Sequence, residues 1–398
     1  MVSIRLLGPV LAFVLTAGIS PARAQLRAAA DPGQTPGWTM TPTFVLSNAW
    51  DDNVILAGEG AETAADAITV ITPMIDGQYR ARHHWLGFGY TGSFSAYHDL
   101  SELNTFDQQL RVDTRHQLSR RLTLQVHDNF AAVPTTEGIF LSGVPFLRTG
   151  SRLNDFGALV SAALDARTTV SAGYSFEWVA FDQDAPYAEF LHGGTTHVFD
   201  GSIRRQVHQR VTIGADAAYR RALVSNGGGR FDIVDVLSYL SYQATKTLAI
   251  SGGFGFSRLK DFQEQTSQTG PSWHVQVVQR VDRVTASAGY IRSYVPAFGV
   301  GGTVQNQELN ADVHMPVARN RAYVQVGLSW RRNEPLTPGE LDLRSLWFQA
   351  TAGYSVARWF RLEGYYWRTQ QDSQQAGGRM NRNRVGIQAV TSLPMRIK

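Results

Sequence analysis

Asp51-Asp52-Asn53-Val54 sets two carboxylates and an amide side by side, and Asp66 follows across a loop rich in Gly, Ala and Glu. Oxygen ligands of this kind are what calcium prefers. Asp51, Asp52, Asn53 and Asp66 are therefore the candidate metal ligands, although they lack the ordered spacing of a dedicated calcium loop. Asp and Asn also cap turns through their own side chains, and turn or rim structure is the expectation. Catalysis would need a nucleophile, a base and an orienting group converging on one face. His127 lies beside Asp128 and Asn129, but neighbours on a strand point to alternate faces. His83-His84 falls in a short turn, and His192 and His197 flank a loop–strand junction. None is paired with an obvious nucleophile, so neither an enzyme nor a cofactor is expected.

The elements that must position these residues are strands. In Leu122–Asp128, Val170–Trp178, Val324–Trp330 and Leu346–Tyr354 apolar and polar residues alternate at period two, the mark of a strand with one apolar face. Short polar turns centre near Arg82, Arg120, Ala166, His208, Lys246, Asp282, Arg319 and Arg358. Their spacing averages about 39 residues, a period that calls for a check against repeat architectures. Between them lie longer segments rich in Gly, Pro, Asp and Glu, near residues 51–66, 98–104, 132–151, 181–193, 224–230, 260–271, 297–303, 334–342 and 372–378. A propeller blade of this period would hold four short strands. Two strands of roughly 10–14 residues per period fit a tilted membrane hairpin instead. The expected fold is all-β: a transmembrane antiparallel up-and-down β-barrel of about 18 strands, with 16 the next count, short periplasmic turns and long extracellular loops.

The ends agree with an envelope protein. Residues 1–24 carry Arg5, an apolar run and Ala22-Arg23-Ala24, the features of a cleaved signal peptide. Residues 25–37 would form a short periplasmic segment and 38–398 the barrel, placed in the outer membrane after cleavage. Loss of Arg5 and Arg23 leaves 35 basic against 33 acidic residues, which is no nucleic-acid footprint. The absence of cysteine excludes disulfides and thiolate metal sites. The aromatics Trp38, Trp85 and Trp359 near short turns, and Tyr97, Trp178, Phe181, Tyr294 and Trp330 near long loops, are expected to ring the apolar band.

With Leu122, Leu124, Val126, Val324, Val326 and Leu328 assigned to lipid, the opposite face lines the lumen: Arg111, Asp113, Arg115, Glu177, Asp216, Arg220, Arg361 and Glu363. An 18-strand barrel is roughly 35 Å across, too wide for side chains alone to fill. These charges read as a wetted wall, as cross-strand pairs, or as both. Narrowing would then come from loops. The longest, Ala131–Gly150, is oddly apolar: Ile139, Phe140, Leu141, Val144, Phe146 and Leu147 cluster within it. An exposed patch of that kind marks an interaction site. The loop is expected to bend into the barrel and constrict it, with Arg111 and Arg115 offered to Glu137.

Pro42, Asp51-Asp52-Asn53-Val54, Asp66 and Pro73 follow an order that resembles a family of outer-membrane β-barrel porins encoded beside exopolysaccharide biosynthesis and protein-sorting genes. The resemblance covers the mature chain, though only these N-terminal motifs are distinctive. It implies a conduit for a secreted polysaccharide, working with a periplasmic polysaccharide export protein and surrounded by outer-membrane lipid and lipopolysaccharide. The chain departs from many outer-membrane barrels in ending Pro394-Met-Arg-Ile-Lys398 instead of on an aromatic residue. A general diffusion porin is the alternative, and a structural or adhesive surface barrel without transport is the alternative of a different class.

Overall fold

The computed structural model describes residues 37–139, 141–183, 191–225, 227–299, 301–318, 321–336, 342–373 and 378–397. The expected signal peptide, residues 25–36, Phe140 and the centre of the expected turn at Arg319 lie outside the described residues.

Eighteen long antiparallel strands close into a ring. They are β1 (Gly37–Asp51), β2 (Asp66–Arg80), β3 (His84–Tyr97), β4 (Thr105–Gln117), β5 (Leu122–Val133), β6 (Ser151–Ala163), β7 (Thr168–Phe181), β8 (Gly194–His208) and β9 (Val211–Val224). The second half comprises β10 (Gly229–Gln243), β11 (Leu248–Asp261), β12 (Ser267–Val281), β13 (Val284–Pro296), β14 (Thr303–Val317), β15 (Ala322–Pro335), β16 (Leu343–Ser355), β17 (Phe360–Ser373) and β18 (Arg379–Ser392). Each strand pairs with the next, and β18 pairs with β1 from Thr43↔Ser392 to Asp51↔Arg384. A three-residue strand, β19 (Met395–Ile397), extends that seam along Trp38–Met40. The up-and-down barrel of eighteen strands is thus the observed fold.

Alternation decides the two faces. On β11 Phe254 and Phe256 are each 61% exposed, whereas Gly255 between them and Ser257 and Leu259 beyond them are buried. On β18 Ile387 is 71% exposed. Phe44, Leu46, Ile203, Val236, Leu240 and Leu362 extend this outward apolar belt around the ring. Such exposure inverts the burial of a soluble protein and suits contact with hydrocarbon. Val326 and Leu328 belong to it.

Three details differ from the sequence reading. Several strands reach 15 residues, more than the 9–11 a tilted membrane strand needs, so the barrel wall continues beyond the belt. The segment 260–271 is a turn of residues 262–266 only, because Gly270 and Pro271 are absorbed into β12. Proline costs only its own ladder bond: the β2–β3 pairing passes over Thr72 and Pro73 and resumes at Met74↔Thr91. Finally, Tyr97, Phe181 and Tyr294 do not ring the belt. The parity of Tyr97 and Phe181 points them inward, and all three are buried at the loop end. There the main apolar core lies, joining Val133, Leu153, Val179, Phe181, Phe231, Ile233, Leu259, Tyr294 and Phe298.

Candidate constriction of the barrel

Asp51 is the last residue of β1 and points inward, 0% exposed. Arg382 donates to it through Nε and Nη2, the latter at 2.7 Å, and Arg384 through Nε at 2.9 Å and Nη2 at 2.8 Å. Two guanidiniums thus compensate the buried carboxylate. Asp52 accepts the Asn383 backbone N–H at 2.6 Å and its Nδ2 at 2.7 Å. Asn53 donates Nδ2 to Asn381 O at 3.0 Å and closes its own turn on Ala57. The three residues that begin the motif thus clasp β18, and they do so at the seam that closes the ring. Asp66 stands opposite Asp51 in register, yet its oxygens accept the backbone N–H groups of Asp99 and Leu100. The cation reading finds no shared set of free oxygens here, because guanidinium and peptide N–H groups already occupy them.

The β5–β6 loop begins beyond Val133. A 3₁₀ turn over Thr136–Ile139 starts it, and Thr136 Oγ1 donates to Pro145 O at 2.6 Å, folding the loop on itself. Ile139, Leu141 and Val144 join the apolar core at the barrel mouth. The patch that would be unusual in water is therefore covered by the inner wall. Leu147 packs against the same core. Phe146 belongs to a second cluster with Leu56 and Met380, its ring meeting Trp347 edge-on at 4.8 Å.

Polar contacts carry the loop across the mouth. Gly143 N donates to Asn333 Oδ1 at 3.0 Å, and Phe146 N to Gln371 Oε1 at 2.7 Å. Glu137 accepts Thr369 Oγ1 at 2.7 Å and Arg382 Nη1 at 2.5 Å. Arg148 reaches Val54 O, Tyr97 Oη and Leu103 O. Asn333, Trp347, Thr369, Gln371 and Arg382 are inward residues of β15 to β18, so a loop rooted on β5 and β6 touches the far wall. Gly143 also comes close to the segment after β13: its φ is +70°, and a Cβ there would lie 2.6 Å from the Ala297 Cβ. Only glycine fits such a position without strain.

The contact expected between Glu137 and Arg111 or Arg115 is not the one made. Arg111 pairs with Asp113 at 3.2 Å and approaches Asp76 at 3.8 Å, and Arg115 shares their face of β4. Of the remaining wall residues, Asp216 binds Arg204 at 2.5 Å. Arg220 approaches Asp235 at 3.6 Å and donates to Tyr294 O. Glu363 accepts Tyr323 Oη and Arg361 Nε. Glu177 faces Asp155 in register. The charges on this wall are largely paired, Arg111–Asp113 and Arg361–Glu363 along one strand and Arg204–Asp216 and Arg220–Asp235 across two. The sequence reading missed Arg382, Arg384, Asn333, Thr369 and Gln371. Their signal was polar character at alternate inward positions of β15, β17 and β18, but no local feature says which loop they meet.

No family model matches the chain, and no curated protein does. Among solved structures it is similar to OccAB4 of Acinetobacter baumannii, 9% identical over 92% of this chain and 100% of that one, with a TM-score of 0.45. OccK5 (OpdH) of Pseudomonas aeruginosa is 12% identical over 90% of this chain and 98% of that one, TM-score 0.47, and OprD of the same organism 10% over 89% and 95%, TM-score 0.43.

Proposed function

We propose that this protein is an outer-membrane channel for passive diffusion of small polar solutes, narrowed at its loop end by the β5–β6 loop. The apolar belt outside, the paired charges inside and the width of an 18-strand ring support a water-filled passage. The observation that carries the reading is Glu137 bound to Thr369 and Arg382 on the far wall, which holds the loop over the mouth. A polymer conduit, which the N-terminal resemblance implies, would need that loop displaced, and the same holds for any role with a periplasmic export partner. A diffusion porin is therefore the better reading.

Liposome swelling with sugars of graded size tests it. Wild type is expected to pass small sugars and exclude large ones. Deleting Glu137–Leu147 should raise the size limit and increase single-channel conductance severalfold. A folded deletion variant with unchanged conductance would sink the constriction, and a wild type that passes nothing would sink the channel.

A further inference from the structure

On β9, β10 and β11 the outward belt ends abruptly. Register places Ala217, Val236, Phe256 and Pro271 in one row, then Tyr219, Val234, Arg258 and Thr269, then Arg221, Asp232, Lys260 and Ser267. Arg230 lies one step further, opposite Leu223. Four cations thus stand at the loop-side edge of an apolar surface in which Phe254 and Phe256 are among the most exposed side chains. Asp232 is the single carboxylate in these rows. It binds Arg221 at 3.0 Å and Arg230 at 3.3 Å. Beyond the rows, the turn after β11 carries two more carboxylates, Glu264 and Asp261, the latter capping the turn by accepting Gln263 N and Glu264 N.

Elsewhere on the outward loop-side rim, Arg152 meets Asp182, Arg379 meets Asp372, and Arg332 meets Glu334. In the β9–β11 rows one carboxylate stands among four cations. These cations are also held in place: Arg230 lies 4.3 Å and Lys260 4.4 Å from the Phe262 ring centroid, and Arg258 donates Nε to Ser267 Oγ at 3.2 Å. Cross-strand neighbours sit about 5 Å apart and successive same-face rows about 7 Å, so the four side chains can converge on one polyanionic headgroup. Arginine and lysine both bind phosphate, arginine bidentately.

We propose that this face binds the phosphorylated headgroup of an anionic membrane lipid, with its acyl chains lying on Val236, Phe254 and Phe256. The proposal rests on the membrane placement given above but not on solute passage. It explains why four cations sharing one outward carboxylate border directly on hydrocarbon-facing aromatics: a headgroup phosphate supplies counter-charge at that height.

Native mass spectrometry of the full barrel in neutral detergent tests it, with diphosphorylated lipid A, phosphatidylcholine and inorganic phosphate as probes. Wild type is expected to retain lipid A and not phosphatidylcholine. Replacing Arg230, Arg258 and Lys260 together by Gln should reduce lipid A retention by about tenfold or more, with heat-modifiable gel migration reporting the fold. Asp232→Asn, which removes only the acid, should raise retention. An Arg152→Gln variant, away from the group, should change nothing. Equal retention by wild type and the triple variant overturns the proposal. So does displacement of lipid A by millimolar inorganic phosphate, which would mean an anion site only, or retention unchanged or lowered in Asp232→Asn. Single-channel conductance of the triple variant should match wild type, so loss of conductance in wild type would count against the channel and not against this site.

Discussion

Glu137, in the loop between β5 and β6, meets Arg382 of β18 at 2.5 Å, 245 residues away in the chain. Arg382 simultaneously holds Asp51 at the end of β1. One nearly buried guanidinium therefore joins the loop that crosses the mouth to the seam that closes the ring. A guanidinium with five donors in a planar fork can serve two carboxylates in this way, which a lysine could not match geometrically.

The coupling is measurable. A double-mutant cycle of Glu137→Gln and Arg382→Gln should give an interaction of about 0.5–3 kcal/mol, read from denaturant unfolding in lipid vesicles. Glu137→Gln alone should also raise the frequency of high-conductance openings in planar bilayers, because it loosens the loop while leaving Arg382 to Asp51. Additive effects and unaltered current traces would remove the latch.

The seam contact can be tested by one substitution. At neutral pH Asp51→Asn should lose about 2–5 kcal/mol, since it leaves two guanidiniums facing a neutral amide. Denaturant unfolding in lipid vesicles reads the loss, and a variant as stable as wild type would contradict the clasp.

Metal removal separates clasp from cation site. With Asp51 taken by two arginines and Asp66 by peptide N–H groups, EDTA should leave the melting temperature of wild type unchanged, and added calcium should not raise it. A calcium-dependent rise abolished by Asp51→Asn with Asp52→Asn would restore the metal reading.

The two faces of one strand make the plainest test. Val326 faces out on β15, while its neighbour Gln325 faces in and donates to Asp312 Oδ2 at 3.0 Å. Arginine at Val326, near mid-membrane, should cost about 2–4 kcal/mol. Arginine at Gln325 should cost little, because water and Asp312 both receive it. Equal losses at the two positions would mean that the belt has been assigned to the wrong face.

Strand number, strand faces and the sides of short turns and long loops were legible in the residues, because period-two alternation is a local property that each hairpin displays by itself. Leu122, Val326, Arg111 and Glu363 could be assigned to a face without knowing any partner. The partners were another matter. Asp51-Asp52-Asn53 shows only that polar side chains end a strand. That they clasp Asn381, Arg382, Asn383 and Arg384 follows from ring closure, which brings the first and last long strands together and has no local signature. Tyr97 and Phe181 have the composition of a lipid-facing girdle, and one step of parity turns them into the mouth. Glu137 was matched to the nearest wall in sequence, Arg111 and Arg115. A loop of this size reaches roughly 25 Å at half its contour, far enough to meet inward side chains of distant strands, so the nearest arginine along the chain need not be its partner. Apolar residues such as Ile139 and Leu141 drew the loop inward onto the exposed inner wall, and the geometry of the closed ring decided that Arg382 would be waiting there.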